Sequence, residues 1–231
     1  MKKKFQETYP GQYKSKVVPN MAYFEMPMNK ADQRRDRIMT ISLLSHLSEE
    51  KGLDIFLELV RKAIDSGLAL RGLLAGPFTS PAVEARFRPL IDELGSHLHF
   101  LGPVYDEAKE RFWAEADVFV FPTRFPVETQ PLVLCEAASQ GLPIITYGRG
   151  CICDDWRASA YIIGRDEPFV EPALDILRAW SADSEAYERA SEAAMSHFRA
   201  SKTNADARLR QLLLSIADLE AQLEETTIYP S

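Results

Sequence analysis

Positive charge is in deficit here: 27 lysines and arginines face 34 aspartates and glutamates, a formal charge of −7, with an isoelectric point near 5.2. A net acidic field repels polyanions, which argues against nucleic acid and anionic membrane surfaces as partners. One lysine beside a helix N-terminus can still hold a small phosphorylated ligand. Cysteine is scarce as well. Cys135, Cys151 and Cys153 are the only three, an odd number without framework spacing, which reads as reduced thiols in a cytoplasmic protein. Cys151 and Cys153 have no matching second pair and the histidines lie far off in sequence, so no metal site is expected. Long apolar runs are missing, and nothing approaches the ~20 residues of a spanning helix. Met1-Lys2-Lys3-Lys4 leads into polar Phe5-Gln6-Glu7-Thr8, which is not expected to be a signal peptide. Internal repeats and low-complexity tracts are also lacking.

What is present is ordinary globular material, 46% apolar and 26% charged over 231 residues, enough for one domain or at most two small ones. Residues 1–37 are polar and weakly periodic and read as a lead-in or linker. Strand-length apolar runs then alternate with helical patterns. Strands are expected at 38–44, 68–75, 97–101, 117–121, 143–147 and 161–163, and helices at 49–66, 81–94, 106–115 and 131–140, several of them closed by glycine. Alternation of this kind specifies a parallel sheet with right-handed crossovers, and the nearly continuous apolar strands fit burial on both faces. The expected fold is α/β: a Rossmann-like, doubly wound parallel sheet over 38–200 with a helical C-terminal extension over 201–231. That extension carries Leu209, Leu212, Leu213, Ile216, Leu219 and Leu223 on one stripe.

In such a sheet ligands bind beyond the carboxyl ends of the strands. Two of the segments there carry unusual chemistry. Ser45–Gly52 follows the first strand and opens a helix, so Lys51 can direct its ammonium toward the strand ends; the alternative is a solvated lysine opposite Glu49 and Glu50, in a turn whose helix dipole disfavours cations. Pro122–Pro143 contains a helix with Pro131 at its first position, capped by Gln130 or Thr129, and apolar nearly all round. Glu136 sits within it. A buried carboxylate costs several kcal/mol unless paired or hydrogen-bonded, and vicinal sugar hydroxyls are suitable donors; an arginine partner is the alternative. Glu128 lies in the loop before the helix, either in solvent or at the ligand. A phosphate at the amides near Leu132 would benefit from the helix N-terminus.

Glu128 and Glu136, with seven residues between them, resemble the E-x7-E signature of retaining GT-B glycosyltransferases, especially family 4. The phrase FPTRFPVETQPLVLCEAASQGLPII is similar almost throughout. VVPN looks like the linker turn entering the C-terminal domain, EEKGLDIFLEL like the K-G helix, and HFLGPV like the turn near the nucleobase. The resemblance spans about 17–165 and implies a donor-binding domain, one half of a GT-B fold, for a nucleoside diphosphate sugar. It implies that Glu136 binds the ribose, Glu128 contacts the donor sugar near its reacting carbon, and Lys51 neutralises the diphosphate. The amides around Thr129, Gln130 and Leu132 would cradle phosphate. Transfer with retention, no metal and no other cofactor are implied too.

Two departures stand out. The family's G-R-L triplet is Ser45-His46-Leu47 here, leaving His46 as a weaker, pH-dependent substitute in the donor site, or Arg124 or Arg149 to supply the charge. Thr129-Gln130-Pro131 replaces the usual glycines. The length leaves no room for an N-terminal acceptor domain, which is expected in another segment or a partner subunit. A dehydrogenase would show G-x-G-x-x-G at a strand–helix junction, and none does. A glycoside hydrolase needs carboxylates facing each other across a bond, unlike this pair. The alternative kept open is a non-catalytic nucleotide-sugar-binding or structural subunit that pairs with a separate acceptor-domain chain.

Overall fold

A computed structural model describes residues 7–9, 16–26 and 38–227, with side chains up to 218. Most of the expected lead-in over 1–37, and the side chains of Leu219 and Leu223, fall outside the described residues. The chain divides into two compact units, 27–198 and a smaller one of 1–26 with 199–231.

The larger unit is built on six parallel strands: β1 (Met39–Leu44), β2 (Leu70–Ala75), β3 (Leu98–Phe100), β4 (Val118–Phe121), β5 (Ile144–Tyr147) and β6 (Tyr161–Ile163), in the order β3-β2-β1-β4-β5-β6. Every residue of β1, β4 and β5 is buried, as expected of central parallel strands covered on both faces. The helices are α1 (Leu53–Asp65), α2 (Pro81–Glu93), α3 (Asp106–Glu115), α4 (Leu132–Ser139), α5 (Ile152–Trp156), α6 (Val170–Ala182) and α7 (Ser184–Thr227). This is the doubly wound, Rossmann-like sheet that the sequence specifies.

The strand order reverses direction between β1 and β4. Right-handed crossovers then place α1 and α2 on one face, and α3, α4 and α5 on the other. α1 accordingly packs against α2, and α6 joins it. The buried Asp117 fastens the reversal point: Thr40 N–H donates to its carboxylate at 2.8 Å, and Asp117 N–H donates back to Thr40 C=O at 2.8 Å.

Three local expectations need correction. α4 starts at Leu132 with Pro131 itself as the capping residue, and no side chain caps it, so neither Gln130 nor Thr129 is the cap. α1 starts at Leu53, which leaves Glu49 to Gly52 in a turn. α5 is an additional short helix in the connection after β5. The C-terminal helix runs unbroken from Ser184 to Thr227. Leu213, Leu214 and Ile216 of its described stripe region are exposed.

α7 brings His197 against Trp156 of α5, with ring centroids 4.4 Å apart. Burial lowers the His197 pKa below its usual value. The unfolded chain therefore binds this proton more readily, and stability is lost as pH falls below the unfolded value of about 6.5. Urea titrations at stepped pH should show that decline, and His197→Gln should flatten it. An unchanged slope would remove His197 from the acid sensitivity.

Candidate functional site

The loops following β1, β4 and β5 meet at the reversal point, where an open parallel sheet forms its crevice. Backbone contacts lock them together. Arg124 N–H donates to Glu50 C=O at 2.8 Å, and Cys151 N–H donates to Glu128 C=O at 2.7 Å. Two glycines make such closeness feasible. Gly52 has φ +80°, and a Cβ there would stand 2.3 Å from Pro122 O; Gly150 has φ +55°, and its Cβ would stand 1.9 Å from Glu128 O. Side chains at either position would push the loops apart.

Within this frame Lys51 and Glu128 meet although 77 positions separate them. Lys51 Nζ lies 2.5 Å from Glu128 Oε1, with side-chain exposures of 26% and 8%. The same oxygen accepts from the Thr123 hydroxyl at 2.9 Å. The ammonium also lies 4.6 Å from the Phe125 ring centroid and 5.8 Å from that of Phe121. Lys51 is thus no freely solvated lysine, and Glu128 is no exposed loop residue. An ammonium has three donors, so it can keep Glu128 and still meet an anion.

Glu136 occupies the middle of α4, between buried Cys135 and Ala137. Of the two kinds of partner expected for its charge, a protein cation is present, though a lysine and not an arginine: Lys109 of α3 reaches across the shared face, with Nζ 2.6 Å from Oε1. The second oxygen, Oε2, is buried and has no hydrogen-bond partner. The side chain as a whole is 18% exposed, and the carboxylate is half satisfied, with Oε2 itself buried. Its neighbour Cys135 is fully buried, and that burial pushes the thiol up to about 12.

The other expected residues are placed less tightly. His46 and Thr129 are exposed, Gln130 is half-buried, and Leu132 is 47% exposed at the uncapped start of α4. Arg124 is engaged elsewhere: its guanidinium donates to Glu49 C=O and to Asp54 Oδ1 at 2.7 Å. Arg149 donates to Arg165 C=O at 2.8 Å, and its Nε is buried without a partner. Among the described residues no group of three His, Cys, Asp or Glu side chains is arranged to hold a metal, and no helix is long and apolar enough to cross a membrane.

Sequence reasoning missed Lys109, which lies on a polar helix with nothing local to distinguish it. A cavity of about 430 Å³ opens beyond β2 and β3, at the carboxyl ends of the strands where ligands are expected to bind, lined by Phe78, Thr79, Arg88, Phe100 and Pro103 among others. The Arg88 guanidinium lies over the Phe78 and Phe100 rings, 5.5 and 4.9 Å from their centroids.

Solved structures share this fold. HepE from Anabaena, in complex with UDP-glucose, matches with a TM-score of 0.63 and 16% identity over 77% of this chain and 49% of that one. TarM matches with a TM-score of 0.66 and 14% identity over 82% and 37%. The catalytic domain of starch synthase IV from Arabidopsis thaliana, bound to ADP and acarbose, matches with a TM-score of 0.58 and 20% identity over 78% and 39%. The chain therefore spans half or less of the length of these structures, and its sheet is one half of a GT-B fold. No curated protein matches it by sequence. The family model described as "Glycosyl transferases group 1" matches residues 35–178, more than half of the sequence. The chain belongs to the group 1 glycosyl transferases.

Proposed function

We propose that this chain is the donor-binding half of a retaining glycosyltransferase. It binds a nucleoside diphosphate sugar beyond the ends of β1, β4 and β5 and delivers the sugar to an acceptor held by another segment or a partner subunit. The observation that carries this reading is the half-satisfied carboxylate of Glu136, whose buried Oε2 has no partner, in the middle of the helix that follows the β4 loop in a chain of this family. A buried acceptor without a donor is costly unless a ligand supplies one.

In this reading a ribose hydroxyl donates to Glu136. Lys51 faces the diphosphate, and the amides about Thr129, Gln130 and Leu132 meet phosphate oxygens at the uncapped start of α4. Glu128, fixed by Lys51 and Thr123, faces the sugar near its reacting carbon. His46 lies on the β1 loop at the rim of the same site. Rate acceleration comes from stabilising the charge that develops on the departing diphosphate, with no metal or other cofactor required.

Calorimetric titration of the full chain with UDP-, GDP- and ADP-sugars tests the reading. Saturable binding is expected, with release of nucleoside diphosphate once an acceptor-binding partner is added. Binding without turnover, even with that partner, would favour a non-catalytic binding subunit. Absence of binding to every donor would refute the donor-site reading.

A further inference from the structure

We infer that Lys109 is a positioning residue for nucleotide recognition: it fixes one oxygen of Glu136 and thereby presents the other to a ligand hydroxyl. The inference rests on the proposed ribose role of Glu136. Glu136 could turn its carboxylate in many ways if it had no partner. Lys109 Nζ, 2.6 Å from Oε1, selects one arrangement and leaves Oε2 buried and unpartnered. Both backbones are firmly set. Tyr105 C=O accepts from the Ala108 and Lys109 amides at the start of α3, and the Ser139 hydroxyl donates to Glu136 C=O at 2.7 Å in α4.

The pair also has a distinct recognition chemistry. A carboxylate alone only accepts, whereas a hydroxyl both donates and accepts. Lys109 is 34% exposed and uses one of its three donors on Glu136. Where a ligand hydroxyl reaches Oε2, Nζ of Lys109 would supply the donor for a hydroxyl next to it. That combination complements a vicinal diol, in which one hydroxyl donates while its neighbour accepts. A ribose lacking its 2′-hydroxyl satisfies only half of it.

The test uses the full chain with UDP, GDP and ADP and their 2′-deoxy counterparts as probes, read by calorimetry beside thermal unfolding. The wild-type chain is expected to prefer the ribonucleotide. Lys109→Met should weaken ribonucleotide binding roughly tenfold, the value of one charge-assisted hydrogen bond, and bring the ribo-to-deoxy ratio close to one. Lys109→Arg should retain both affinity and preference. Should the methionine variant not fold, Lys109→Gln gives the same comparison. Unchanged affinity and ratio in the variant, or an equal loss for both sugars, would overturn the positioning role while leaving the donor site standing. Failure of the wild-type chain to bind any ribonucleotide would refute the donor site and the positioning role together.

Discussion

Glu136→Ala is expected to cut nucleoside diphosphate affinity by roughly 10²–10³-fold while the protein stays folded. The estimate follows from losing one or two hydrogen bonds to a charged acceptor, each contributing about 1.5–3 kcal/mol. The effect on stability should be small because two terms oppose each other. Removal of a mostly buried carboxylate relieves a desolvation cost, and it takes the partner from Lys109. That lysine is 34% exposed and can extend its ammonium into water. A change within about 1 kcal/mol is therefore expected in denaturant titrations. Normal nucleotide affinity in the folded variant would show that Glu136 does not touch the ribose.

Lys51→Met should act on stability and binding at once, and the two effects separate by a second substitution. Glu128 is almost wholly buried, so removing its cation leaves a charge held only by the Thr123 hydroxyl. Breaking one side of such a pair costs about 3–5 kcal/mol in fully buried cases, and partial exposure of Lys51 brings the expected loss to roughly 2–4 kcal/mol. Neutralising the partner with Glu128→Gln in the same chain should recover most of that loss. Binding should not recover. The double variant should still bind nucleoside diphosphates far more weakly than wild type, with a smaller loss for the free nucleoside. Equal losses for both ligands would contradict a diphosphate role for Lys51. Failure of the double variant to regain stability would show that the pair does not set the local energetics.

The sheet was legible because its strands are near-continuous apolar runs punctuated by glycine and proline. β4, for instance, reads Val118-Phe119-Val120-Phe121 and is buried throughout. Boundaries were less legible, since Pro131 suits both a capping and a first-turn position, and the five-residue α5 is too short to show a period. Glu128, Glu136 and Lys51 were legible as a family pattern, but their pairings were not. The Lys51–Glu128 contact exists only because β1 lies beside β4, a long-range adjacency that local periodicity does not encode. Lys109 was invisible for the same reason: its meaning depends on α3 and α4 sharing one face of the sheet. The arginines of the neighbouring loops illustrate the converse. Arg124 looked available to supply charge, yet it closes the turn before α1 through Glu49 and Asp54.

The most direct test is a crystal structure of the full chain with the tightest-binding nucleoside diphosphate from the panel. A ribose hydroxyl within hydrogen-bonding distance of Glu136 Oε2, with the diphosphate beside Lys51, is the predicted result. A nucleotide seated elsewhere, with Oε2 still unpartnered and Lys51 still engaged by Glu128 alone, would contradict the proposed site.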